Sequence, residues 1–364
     1  MSKNVTLAFL LLLLLIVMVA TSAAALGVGP AGANFDANIR LLKRQLVSVE
    51  KNVGSVHIAF IDKSKADRDD IFIIKNDGTE VIRVLEGAKD EHFDNLIWSP
   101  SAQLFAVRSQ AGLEHYIQIL DKGLKSIGKI ASEFKITPLA WLADGSKLIY
   151  SSLEEDSIGK IYLYDQKTKQ SEVIRNNRTD RVSWSPDRSK FVFDYGFTEN
   201  NTWWNNIYIY TIKEKSFELL TNDDAYSPDW SPQGGQIAYI TYDDDYNELI
   251  KIINVDNRQE SILVTSGGML FHPSWSSDGG KVAYMEGLDY KELKLKVINV
   301  DGTGDTVLAE EINVRSNYPF PWYGQQLLFT SLEGELYLAN VTDHSWLKLK
   351  EGKIESPVWV DNYQ

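Results

Sequence analysis

The chain has 364 residues, with 50 acidic against 37 basic side chains, a net charge of −13 and no cysteine. That charge repels phosphate backbones, and the basic residues are scattered without a stripe, so nucleic-acid binding is excluded as a function class. Without cysteine there is no disulfide framework, no thiol chemistry and no lipid-modified cysteine.

At the amino end a single lysine, Lys3, precedes an uncharged stretch that contains six consecutive leucines at residues 10–15. Residues 5–20 have the size of a signal-peptide core, and Ala23, Ala24 and Ala25 supply small residues for cleavage. The whole apolar run is also long enough to cross a bilayer. Residues 1–25 are therefore expected to be a signal peptide or an N-terminal membrane anchor. The expected location is outside the cytoplasm, in a periplasm, on a cell surface or secreted, although for an anchor Arg40, Lys43, Arg44 and Lys51 downstream outnumber Lys3, against the positive-inside expectation. Residues 26–52 read as a linker, with Gly27, Gly29, Pro30 and Gly32 ahead of an amphipathic piece at 39–49 that would form a short helix.

From residue 53 onward the sequence repeats. Trp98, Trp141, Trp184, Trp230, Trp275, Trp322 and Trp359 recur at intervals of 43, 43, 46, 45, 47 and 37 residues. Each Trp ends one predicted strand, and turn residues follow it, as in Trp230-Ser231-Pro232-Gln233-Gly234. Next comes a short, wholly apolar strand such as Ile58-Ala59-Phe60-Ile61 or Ile237-Ala238-Tyr239-Ile240, with seven copies in all. A third strand rich in β-branched and aromatic residues follows, for example Ile207-Tyr208-Ile209-Tyr210. The fourth is patchier, as expected of an outer edge. A four-strand unit at this period marks an all-β propeller. The first copy lacks a Trp strand and the last has nothing else, so the strand around Trp359 is expected to pair with the strand at residues 56–61. That gives seven four-stranded antiparallel blades closed by both ends of the chain. The short last interval leaves six or eight blades as alternatives. The seven tryptophans read as packing residues between blades.

These repeats resemble the TolB-type propeller repeat, a WD40-like family. The nearest copies are Pro228-Asp229-Trp230-Ser231-Pro232 with Ile237-Ala238-Tyr239, and Pro273-Ser274-Trp275-Ser276-Ser277-Asp278-Gly279 with Val282-Ala283-Tyr284. The resemblance covers residues 53–364 and implies a propeller that binds partners. The α/β domain that precedes the propeller in TolB does not fit into the residues ahead of 53. Only propeller-mediated binding is therefore carried over.

Alternating strand direction puts the turns after first and third strands on one face of the ring. The second-to-third-strand loops and the links between blades fall on the other. The longest of these loops is expected at residues 194–206, with Tyr195, Phe197, Trp203 and Trp204. Trp203, Trp204, Tyr226, Tyr242, Tyr246, His272, Tyr318 and Phe320 lie on this side outside the strand pattern, near the fourth to sixth blades. Such aromatics form either a binding surface or caps on the inter-blade core. Asp243, Asp245 and Asn247 have the alternate spacing of a calcium loop, but Glu248 stands where the sharp turn needs Gly. Ser276, Asp278 and Gly280 read as turn chemistry.

Neither Gly-x-Ser-x-Gly nor His-Glu-x-x-His occurs. Some TolB-like propellers resemble oligogalacturonate lyase, which implies a histidine-held metal; of five histidines, His92, His115 and His272 could share the loop face. The expected function is an exported, noncatalytic, monomeric propeller that docks a protein or a cell-envelope polymer without a cofactor. It would touch a membrane only through an uncleaved N-terminal segment. The alternatives are a secreted carbohydrate-active enzyme and an architectural surface protein. A binder is expected to have no organised polar cluster in its channel, whereas an enzyme requires convergent His, Arg or carboxylate groups there.

Overall fold

A computed structural model describes residues 56–361 except 155–158, 177, 178, 180, 200, 201, 310, 311 and 316–319. Side chains at 198, 199, 202 and 203 are likewise outside the description. The targeting segment at 1–25 and the linker and helix at 26–52 therefore lie outside the described residues, as do Tyr318 and the Trp203 side chain.

Among the described residues there are 28 strands, arranged as seven four-stranded antiparallel sheets. Blade 1 contains β1 (His57–Asp62), β2 (Asp70–Lys75) and β3 (Ile82–Glu86); blade 2 contains β4 (Glu91–Ser99), β5 (Leu104–Ala111), β6 (Glu114–Asp121) and β7 (Ser126–Ser132). Blade 3 follows with β8 (Ile136–Trp141), β9 (Lys147–Ser152), β10 (Lys160–Asp165) and β11 (Gln170–Arg175). Blade 4 is built from β12 (Ser183–Trp184), β13 (Lys190–Glu199), β14 (Thr202–Thr211) and β15 (Ser216–Leu219). Blade 5 has β16 (Tyr226–Trp230), β17 (Gln236–Tyr242), β18 (Glu248–Asn254) and β19 (Glu260–Ser266). Blade 6 has β20 (Met269–Trp275), β21 (Lys281–Gly287), β22 (Lys294–Asn299) and β23 (Thr306–Ala309). Blade 7 has β24 (Trp322–Tyr323), β25 (Gln326–Thr330), β26 (Leu336–Asn340) and β27 (Ser345–Lys350). The last strand, β28 (Ile354–Val360), returns to blade 1 and pairs with β1, Ile58 opposite Trp359 and Ala59 opposite Val358. Seven blades close as expected. The short final Trp interval reflects the short strands of blade 7.

The core explains why the second strands are apolar at consecutive positions. Seven clusters of buried side chains occur, one between each pair of neighbouring blades, and alternate residues of a second strand enter different clusters. In β1, Ile58 and Phe60 pack toward blade 7 while Ala59 and Ile61 pack toward blade 2. In β17, Ile237 and Tyr239 face blade 4 while Ala238 and Ile240 face blade 6. Side chains alternate across a strand, so a sheet covered on both faces needs apolar residues at every position. Each cluster also receives one of the repeat tryptophans, always from the blade that follows it around the ring, and the cluster between blades 6 and 7 receives Trp346 of β27 as well. Trp141, Trp230 and Trp275 are buried, and Trp98, Trp184, Trp322 and Trp359 are half-buried against their clusters.

Several indoles also bond across the seam. Trp275 Nε1 donates to the carbonyl of Asp229 at 3.0 Å, and Trp359 Nε1 to that of Pro321 at 3.0 Å. Trp275→Ala is expected to cost about 3–5 kcal/mol through lost packing. Trp275→Phe keeps most of the ring contact and loses the bond, at about 1–2 kcal/mol. Urea denaturation of both variants checks the order.

The turns after the Trp strands are built by side-chain capping. Asp278 Oδ1 accepts from Ser276 Oγ at 2.7 Å and from Gly280 N at 3.0 Å, and Gly279 takes a φ of 70° that a side chain would resist. Asp187 is used the same way by Ser185 and Ser189. At this turn-bearing end the chain enters the ring: the Val56 carbonyl accepts from Asn76 N, in the β2–β3 turn, at 3.1 Å.

Candidate functional site

The opposite end carries the second-to-third-strand hairpins. Here the loop expected at 194–206 is instead ladder. β13 and β14 stay paired from Lys190 opposite Thr211 out to Glu199 opposite Thr202. Tyr195 and Phe197 alternate with Gly196 and Thr198 as in a strand, but the polar run that follows and the adjacent pair Trp203-Trp204 break the alternation, so the segment reads as a loop in sequence. Tyr195 stacks on Phe197 and meets Tyr208 edge-on, and the guanidinium of Arg175 lies 4.5 Å from the Tyr195 ring centre. These residues serve the hairpin's own packing, whereas Trp204 is 40% exposed.

Exposed aromatic side chains are few and concentrated. Among the described residues they are Phe134, Trp204, Tyr242, Tyr246 and Tyr290. The last four all belong to the hairpin ends of blades 4, 5 and 6. Beyond sharing a face, they are joined. Asn205, beside Trp204, donates its backbone N–H to Asp224 Oδ1 in the link to blade 5 at 2.8 Å. Tyr242 packs 6.0 Å from Tyr226, ring centre to ring centre, and Tyr290 packs 5.5 Å from Phe271. Burial raises the Tyr242 phenol above its ordinary pKa, and the neighbouring Glu248, Asp224 and Tyr290 add to this. The phenol of Tyr226 is raised too, first by burial and then by its bonds to Tyr242 and Glu248. Phe320 differs from the others: its side chain is buried in the core between blades 6 and 7.

Tyr246 stands out. It is 86% exposed and has a φ of 62°. Asn or Gly ordinarily fills this left-handed position of a tight hairpin. Around it, Asp243 Oδ1 accepts from Asp245 N at 2.9 Å and from Asn247 N at 2.8 Å. The residues of the calcium-like spacing are thus engaged in closing the hairpin. No group of three or more His, Cys, Asp or Glu side chains among the described residues is arranged to hold a metal ion.

The inner wall of the ring carries what sequence reasoning missed. Two charged clusters on and beside the first strands bring Arg, His and carboxylate groups together, the kind of arrangement expected of an enzyme more than of a binder. In the first, Arg181 Nη1 donates to Ser227 Oγ at 3.1 Å and lies 3.3 Å from His272 Nδ1, and its Nη2 is 3.7 Å from Asp229 Oδ1. Asp229 also accepts from Ser183 Oγ and Trp275 N, both at 2.8 Å. Asp194 accepts from Ser227 N at 3.1 Å and Thr179 Oγ1 at 3.2 Å. Burial pushes the Asp194 and Asp229 carboxyls above the usual range against the pull of Arg181. In the second cluster, Lys63 Nζ lies 2.6 Å from Asp94 and 2.9 Å from Glu355, Arg315 is 2.9 Å from Glu355, and Arg108 pairs with Asp94. Burial alone would raise Asp94, but Lys63 and Arg108 outweigh it and hold the carboxyl below its usual range.

A recurrent bulge holds Ser227 and His272 of the first cluster and lies beside Asp94 and Glu355 of the second. Asn95, Ser227, His272 and Ser356 each stand three residues before a repeat Trp and have φ between 48° and 55°. Strand register shifts beside each of them. A bulge re-aims the side chain it contains. The sequence signal was the column three before Trp, where Asn95, Arg181, Ser227, His272 and Ser356 are all polar. His92 and His115 start β4 and β6 of blade 2, and His272 lies in blade 6. The three candidate histidines are therefore not brought together.

No family model matches the chain, and neither does any curated protein. Solved structures do. TolB from Acinetobacter baumannii is 17% identical, with 84% of this chain and 82% of that one covered at a TM-score of 0.53. An oligogalacturonate lyase in complex with manganese is 11% identical, covering 81% and 84% at 0.58. The propeller domain of the trilobed protease from Pyrococcus furiosus is 14% identical, covering 83% and 96% at 0.61. That domain is described as having an open velcro topology, whereas here β28 closes blade 1. These likenesses establish a TolB-like propeller fold, one that enzymes share.

Proposed function

We propose that this protein is an exported binding propeller that holds a partner at the hairpin ends of blades 4, 5 and 6. The reading rests on one observation: four of the five exposed aromatic side chains among the described residues gather on that sector of one face. Aromatic residues supply much of the energy of recognition, and a rigid ring presents them at little cost in ordering. Location outside the cytoplasm is supported by the apolar segment at residues 1–25. The architectural alternative gives no account of the aromatic clustering. The alternative of a carbohydrate-active enzyme is carried by the Arg181 cluster alone, and turnover of acidic polysaccharides by the full chain tests it.

Photo-crosslinking in the native host tests the binding site. A crosslinking residue at position 246 is expected to capture a partner, and one at position 301, in a turn at the other end of the ring, is not. Capture from 301 alone would remove the proposal.

Tyr246→Asn separates recognition from stability. Asn tolerates the left-handed backbone, so the ring is expected to gain about 0.5–1 kcal/mol in thermal or urea unfolding while capture weakens. A variant that loses stability and keeps its partner would show that the ring of Tyr246 serves the hairpin instead.

A further inference from the structure

The aromatic sector lies among carboxylates that have no cation of their own. Asp224, Asp243, Asp244 and Asp245 occupy the link and hairpin of blade 5, between Trp204 on one side and Tyr290 on the other. None of the four makes an ion pair with a described basic residue, although Asp223 next door is neutralised by Lys251 at 3.4 Å. Asp244 and Asp245 are exposed beside Tyr246. Blade 6 is mixed, because Lys291 and Lys294 offset Asp289 and Glu292 there; the acidic centre is therefore blade 5. Aromatic faces and unpaired carboxylates attract the same ligand chemistry. A ring face carries partial negative charge that draws in ammonium and guanidinium groups, and carboxylates add directional ion pairs.

Resting on the binding site proposed above, we infer that its occupant is a Lys- or Arg-rich peptide segment, laid across Trp204, Tyr242, Tyr246 and Tyr290 with its cations toward Asp224, Asp244 and Asp245. Charge complementarity selects this occupant: an acidic polysaccharide or an acidic protein tail would meet like charge at Asp224, Asp244 and Asp245 in the link and hairpin of blade 5. The net charge of −13 extends that attraction to the encounter, so association should slow as salt rises.

The full chain is titrated with fluorescent oligo-lysine, oligo-arginine and oligo-glutamate peptides of equal length. The two cationic peptides are expected to bind and oligo-glutamate is not. Asp244→Asn with Asp245→Asn should weaken binding about tenfold, and Tyr246→Ala with Tyr290→Ala by about the same factor. Asp301→Asn with Asp343→Asn removes two charges at the turn-bearing end and should leave affinity unchanged. Equal weakening by that pair would reveal diffuse attraction to an acidic protein and overturn the inference, as would failure of both cationic peptides to bind. The two proposals fail separately. Capture from position 246 of a partner with no basic segment would refute the peptide chemistry and leave the binding face standing.

Discussion

Deleting residues from Ile354 onward is expected to abolish cooperative folding of the whole ring. The deletion removes β28, and with it Ile354 and Val360, both fully buried. Each contributes about 1.5–3 kcal/mol by burial, and Trp359 about 3–5 kcal/mol by packing. Trp98 would also lose Asp361, to which its Nε1 donates at 3.1 Å across the seam between blades 1 and 2. The combined loss is comparable to the entire margin of a typical domain, about 5–15 kcal/mol. It would also leave β1 as an open edge with an unpaired row of backbone groups. Near-ultraviolet circular dichroism and urea titration should show lost tertiary signal and no sharp transition. A truncated chain that unfolds as sharply as the full one would mean that β28 is dispensable to closure.

The second large effect is expected at Arg181. Arg181→Met removes the cation that Asp194 and Asp229 share and leaves two largely enclosed carboxylates without one, at about 3 kcal/mol near neutral pH. The pH dependence carries a sign that simple loss of packing does not. Both carboxyls already sit above their ordinary pKa through burial, and loss of the guanidinium raises them further. In the window between the unfolded value, about 4, and the raised folded values, the folded state binds more protons than the unfolded state. Stability of the variant should therefore recover as pH falls through that window. The cluster around Asp94 behaves in the opposite way. Its carboxyl is depressed in the folded state, so its contribution is present above the unfolded value and fades as pH drops toward the folded one. Urea midpoints across mildly acidic pH, compared between Arg181→Met and the double variant with Asp229→Asn, separate the two. The double variant should regain part of the lost stability at neutral pH.

The architecture was legible because its signals are local and repeated. Tryptophan spacing, turn residues and uninterrupted apolar second strands each follow from blades covered on both faces, and seven copies remove the ambiguity of one. Closure was legible because Trp359 and the strand near His57 are complementary fragments of one unit. The hairpin of blade 4 was not, because the polar run after Phe197 and the adjacent pair Trp203-Trp204 interrupt any strand alternation, and the strand's partner is the same segment folded back. The channel clusters were hidden for a different reason. Arg181, Ser227 and His272 are separated by about one blade each in sequence, and Ser227 and His272 reach Arg181 from strand bulges. Phe320 could be read from its place in a link as a surface aromatic or as a cap on the inter-blade core, and its ring fills the core between blades 6 and 7. Composition does not tell a link that crosses the surface from one that dips into the seam.

The entry point at Val56 has a mechanical consequence. A pull applied at His57 runs along the length of β1, which is bonded to β2 on one side and β28 on the other. If the opposing force comes from cargo gripped at the far end, the two ladders are loaded in shear, with many backbone bonds strained together instead of one at a time. The seam that fastens the circle is then also the part of the molecule best placed to bear tension.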